Sequence, residues 1–157
     1  MTMFNNILVV SRMVNYDAKV IQTGASMARM YGAKLTILHV IHNPFGVAGW
    51  NLPLPNLDKD YQKLLKKTRE SLDKLAEKER AAGTSIEVIM KEGDPTREIA
   101  QTVKEKKIDL LIMLAHEEGH LEHFLFGRSN HDLILKMPCS IMLIKKEPGV
   151  ALGPWEG

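Results

Sequence analysis

The chain has one cysteine, Cys139, so no internal disulfide can form and there is no sign of secretion. Its charges nearly cancel, leaving +2, which is too little to imply affinity for nucleic acid or a membrane surface. The most basic stretch, Lys63 to Lys78, is interleaved with Glu70, Asp73 and Glu77 and reads as a solvated helix face, not a phosphate track. No apolar run approaches the roughly eighteen residues of a membrane span, and the start MTMFNNILVV has neither a basic region nor a small-residue cleavage site, so a cytoplasmic protein is expected. There is no G-x-x-x-x-G-K-[ST] loop and no Ser in a G-x-S-x-G elbow, which removes support for P-loop and hydrolase chemistry.

What is present fits one ordinary domain. The 157 residues are 45% hydrophobic and 25% charged, enough for a single core and far from the composition of a disordered chain. Five short apolar runs have the character of strands buried on both faces: Asn6 to Ser11, Lys34 to Ile41, Thr84 to Met90, Asp109 to Leu114 and Cys139 to Ile144. Helical periodicity lies between them. Asn15 is a cap for a helix carrying Val20, Met27 and Tyr31 and ending at Gly32. Leu57 to Ala82 is a long helix with Tyr61, Leu64, Leu65, Leu72 and Leu75 on one face, stopped by Gly83. Asp94 then Pro95 opens a third helix that turns Ile99, Thr102 and Val103 inward, and a short fourth runs from Ser129 to Lys136. Residues 42–56 and 115–127 read as long loops, and the tail 147–157 as flexible. Of the nine methionines, Met27, Met30, Met90, Met113 and Met142 are accounted for by core packing.

Alternating strands and helices make βαβ crossovers, hence a doubly wound α/β fold with a parallel sheet and helices on both faces. Ligands of such sheets bind outside the carboxyl ends of the strands where the winding reverses, here the ends of the first and fourth strands.

Taken in order, ILVV at 7–10, LHV at 38–40, GDPTREI at 93–99, DLLIM at 109–113 and PCSIMLI at 138–144 resemble the universal stress protein family. The resemblance spans about residues 4 to 146, so residues 1–146 are expected to form the domain. It implies a three-layer α/β/α sandwich, adenine nucleotide alpha hydrolase-like, with a five-stranded parallel sheet in the order 3-2-1-4-5 and a homodimer joined through the fifth strand. On that strand Ser140, Ile141, Leu143, Ile144 and Lys145 would form the interface, covering an edge otherwise open to pairing. Family members that bind ATP share an Asp just after the first strand. They also share a motif after the fourth: Gly, two residues, Gly, nine residues, Gly, then Ser or Thr. Glycines let backbone N–H groups approach the phosphates, and the following helix offers its positive end.

This chain departs from that pattern. Arg12 stands at the Asp position, Leu114 and Glu117 at the first two glycines and Arg128 after the third, so only Gly127 survives. Val40, Met113 and His116 match positions that line the nucleotide site, and Ser129 and Asn130 keep polar groups at the helix start. Leu114 fills space that a phosphate would need and Glu117 adds a like charge, so the expectation is a degenerate pocket filled by the chain's own Arg and Glu side chains, with no cofactor. The alternative is an ATP- or AMP-binding switch, or a slow ATPase, whose phosphate contacts pass to Arg12 and Arg128.

His116 to His120 matches H-E-x-x-H, but the segment leaves a strand almost at once, contains Gly119 and lacks the usual extension, so zinc proteolysis is not expected. His116, His120 and His123 could hold Zn²⁺ or Ni²⁺ as a metal-binding module, or be exposed loop residues. His39 reads as a core residue with satisfied ring nitrogens, and Cys139 as a small hydrophobe rather than a nucleophile. The function expected is that of a non-enzymatic, homodimeric stress-response protein acting through a protein partner, with the 42–56 and 115–127 loops as contact surfaces.

Overall fold

A computed structural model describes residues 2–12, 17–41, 57–114 and 134–145. Its elements are β1 (Asn6–Ser11), α1 (Asp17–Tyr31), β2 (Lys34–Ile41), α2 (Leu57–Ala81), β3 (Ile86–Glu92), α3 (Pro95–Glu105), β4 (Leu110–Leu114) and β5 (Ser140–Ile144). All five strands pair in parallel, in the order β3-β2-β1-β4-β5. The strand order implied by the resemblance is the one observed.

Strand alternation divides the core. Ile7, Val9, Leu35, Ile37, Leu110 and Ile112 point to one face and pack on α1 and α2. Leu8, Val10, Leu38, Leu111 and Met113 point to the other and meet Ile99 and Val103 of α3. Gly24 sets how closely α1 lies on the sheet: a Cβ there would run into the Cγ2 methyl of Val9 and stand 3.3 Å from Leu35 Cδ1. The α3 start forms as the sequence predicts. Asp94 is the cap and accepts the Arg97 amide at 2.9 Å, and Pro95 follows at the first helical position.

Several boundaries move, each for a physical reason. β3 runs from Ile86 to Glu92 rather than from Thr84 to Met90. Gly83 turns at φ 96°, the Thr84 amide closes onto the Glu79 carbonyl at 3.2 Å, and pairing with β2 continues to Ile41↔Glu92. β4 begins one residue late because the Asp109 carboxylate accepts the amides of Asn5 at 2.8 Å and Asn6 at 3.1 Å, tying β1 to β4 at the sheet's amino end. β5 likewise starts at Ser140, after Cys139.

The long helix is rotated from the expected phase. Tyr61, Leu65, Thr68, Leu72, Ala76 and Glu79 follow the inward stripe, and Leu64 is 57% exposed. Glu79 is tolerated inside because Arg29 of α1 donates to it at 2.9 Å and to Thr84 Oγ1 at 2.7 Å. Met30, expected in the core, is 74% exposed. α1 begins at Asp17 in the described chain, and the Asn15 cap lies outside the described residues, as do the 42–56 loop, the 115–127 loop and the 147–157 tail. Only residues 134–136 of the short fourth helix are described, and they are helical.

Candidate functional site

β1 is central, with β2 on one side and β4 on the other, so the carboxyl ends of these three strands form one corner. The register Ser11↔His39 and Val9↔Ile112 brings Arg12, Val40 and Met113 to it. Val10 and Met113 are buried and Val40 is packed against them on the α3 face. Arg12 follows β1 and is half-buried. His116, Gly127, Arg128, Ser129 and Asn130, and the proposed metal ligands His120 and His123, lie outside the described residues. Among the described residues no group of three His, Cys, Asp or Glu could hold a metal ion.

The corner also contains an acid that lies outside the family's nucleotide motif. Asp17, the first residue of α1, is 4% exposed. Its Oδ2 accepts the Ser11 hydroxyl at 2.6 Å and its Oδ1 accepts the Arg12 amide at 3.0 Å. A carboxylate at a helix start is favoured by the helix dipole and by orphan backbone donors, and here the strand that precedes the helix supplies the donors. The sequence signal was phase: Asp17 falls on the same stripe as Val20, Ile21, Gly24 and Ala28, all buried, so its carboxylate had to be inside.

His39 completes the corner from β2. Its Nδ1 lies 3.0 Å from the Ser11 carbonyl oxygen, which calls for the proton on Nδ1 and ties the ends of β1 and β2 together. The ring is half-buried, not a full core residue. The Ser11 hydroxyl, the Ser11 carbonyl and the Arg12 amide are therefore engaged by the chain's own side chains. Asp17 is thereby turned toward the strand that holds it.

Cys139 sits at the other side of the sheet, half-buried against the α3-face core. Burial pushes its thiol above the usual value and the Asp109 charge adds to this, while a backbone hydrogen bond from Leu111 acts the other way. This is a packing residue with little thiolate, as the sequence suggested. Near the end of β3, burial raises the Tyr61 phenol first, with the Glu92 carboxylate adding to it.

A three-layer sandwich around a five-stranded parallel sheet in the order β3-β2-β1-β4-β5 defines a class of parallel α/β proteins. The match to a family model is more specific: the one described as the universal stress protein family covers residues 3–145, and the chain belongs to that family. It is 24% identical over 148 residues to universal stress protein YxiE of Bacillus subtilis, covering 91% of this chain and 100% of that one. Its fold is similar to that of a universal stress protein in complex with cAMP, with a TM-score of 0.63 at 15% identity over 90% of this chain and 96% of the other. It is also similar to the universal stress protein from Archaeoglobus fulgidus in complex with dAMP, with a TM-score of 0.62 at 16% identity over 92% and 100%. Among the described residues no helix is long and apolar enough to cross a membrane.

Proposed function

We propose that this chain is a homodimeric, non-enzymatic stress-response protein of the cytoplasm that acts through a protein partner and does not hold ATP in the pose of the family's binders. The observation that carries this reading is the engaged corner at the end of β1. Where the binders place an acid toward the nucleotide, this chain has Arg12, and its nearby acid, Asp17, is buried and bonded to Ser11 and Arg12. An adenine nucleotide would have to displace those internal bonds or bind without an acid partner.

The dimer would form along β5, which ends the sheet. Ser140, Leu143 and Lys145 are exposed on it, and Ile141 and Ile144 are half-buried. Leu143, at 48% exposed, is a large apolar residue on an unpaired edge, the kind of position that a second copy covers. Sedimentation across a dilution series should give a dimer, and monomer alone at every concentration would refute this part.

The second reading is a nucleotide-binding switch using Arg12 and Arg128. The two solved relatives holding cAMP and dAMP support it, as does the presence of an arginine, Arg12, at the strand end. Native mass spectrometry after mild purification separates the readings: co-purified adenine nucleotide favours the switch, and bare protein favours the partner-acting dimer.

A further inference from the structure

A cleft of about 470 Å³ lies at the amino end of the sheet, opposite the Arg12 corner and under the last turn of α3. Its walls include Lys34 and Thr36 of β2, Ser85 and Glu87 around the start of β3, and Lys106 and Lys107 after α3. Lys34, Thr36 and Leu38 alternate onto one face, and Leu38 packs on Ile99 and Val103, so this row faces α3. Lys34 stands beside Asn6 in register and Thr36 beside Glu87.

Thr36 supplies one of the two hydroxyls in this cleft. It is 6% exposed, and among the described residues its hydroxyl has no hydrogen-bond partner. The hydroxyl is not sealed inside the protein: it borders the cleft, where solvent can satisfy it and a ligand can take the place of that solvent. The hydroxyl opens into the cleft and is available to a ligand.

The charges around it favour an anion. Lys34 and Lys107 are exposed and have no acidic partner among the described residues. The one acid beside Thr36, Glu87, is neutralised by Lys106, whose Nζ lies 2.8 and 2.6 Å from its two oxygens. Glu105 is held by Gln101 and by Lys91, which it shares with Glu98. The carbonyls that would make the end of α3 negative are closed by the chain itself. The Lys106 amide donates to Thr102, the Lys107 amide to Lys104 and the Ile108 amide to Val103. Among the lining side chains three lysines stand against two glutamates, a formal excess of one positive charge, beside the Thr36 and Ser85 hydroxyls.

We propose that this amino-end cleft is a binding site for a small ligand bearing a phosphoryl group, held by Lys34, Lys107, Thr36 and Ser85. Lysines serve as point charges for phosphate and hydroxyls donate to its remaining oxygens. The cleft is larger than a phosphate ion, which leaves room for an organic remainder. The site is on the far end of the sheet from Arg12 and stands whether or not the reading of that corner is right.

The test is a titration of the full chain with inorganic phosphate, followed by amide shifts in two-dimensional NMR against chloride at matched ionic strength. Saturable shifts centred on residues 34–36, 85–87 and 105–108 are expected at millimolar phosphate or below. Thr36→Val should weaken binding by about threefold to tenfold. Lys34→Ala with Lys107→Ala should weaken it by at least about tenfold. Shifts that do not saturate, or that spread evenly over surface lysines, would overturn the site. So would full binding in Thr36→Val together with the double lysine variant.

Discussion

Ser11 and Asp17 form a closed pair across the β1–α1 connection: the hydroxyl donates to Asp17 Oδ2 at 2.6 Å while Oδ1 takes the next amide, that of Arg12, at 3.0 Å. Both residues are buried. The strand end is therefore fixed to the helix start by hydrogen bonds to a carboxylate, which are about twice as strong as neutral ones. Truncating the acid strands two donors. Asp17→Ala should cost about 2 to 3 kcal/mol, and Ser11→Ala about 1 kcal/mol, read from urea midpoints at constant slope. Equal and negligible effects would mean that the pair is not what holds this corner.

Gly24→Ala sets two effects against each other. Alanine gains about 1 kcal/mol of helix propensity, whereas the new methyl meets Val9, which is completely buried and β-branched. Overpacking should win, with a net loss of about 1 to 3 kcal/mol. Adding Val9→Ala should make the Gly24→Ala change less costly than it is alone, because the two sites share one volume. A stabilised single variant would show that α1 can lift off the sheet freely.

Cys139 gives a dependence on pH. Its thiol is pushed above the ordinary value in the folded chain, chiefly by burial. The protonated thiol is then the form that the fold prefers. The contribution is complete below the unfolded thiol value of about 8.5 and is lost as pH rises through the higher folded value. Alkylation at pH 8 should accordingly be slower in the native protein than in urea, and Cys139→Ala should flatten the alkaline loss of stability. Equal rates in the two states would contradict this.

The sequence was a good guide wherever one kind of signal acted alone. The five apolar runs became the five strands, and Asp94-Pro95 opened α3. It was a poorer guide where a polar residue shares a buried stripe. Thr68 and Glu79 are inside α2, so the apolar residues by themselves gave a phase that put Leu64 on the wrong side. Glu79 can be buried only because Arg29, fifty residues earlier, reaches it. Asp17 was missed for the same reason, since its partners are set by how β1 meets α1. The amino-end cleft could not be read at all, because Lys34, Ser85 and Lys107 come together only through strand register and the end of α3.

The proposed dimer makes Leu143 its most sensitive residue. Leu143→Asp would place two like charges near a two-fold axis without partners. Association should weaken by roughly a hundredfold or more, with the fold retained because the side chain is already half outside. Sedimentation shows the first effect and far-ultraviolet circular dichroism the second. An unchanged dimer would move the interface away from β5.

Isothermal calorimetry of the full chain with millimolar ATP and Mg²⁺ bears most directly on the corner at the end of β1. With Asp17 bound to Ser11 and Arg12, no saturable heat is expected for wild type. A saturable isotherm in wild type that is lost on Arg12→Ala would contradict the account and make the cleft a rebuilt nucleotide site.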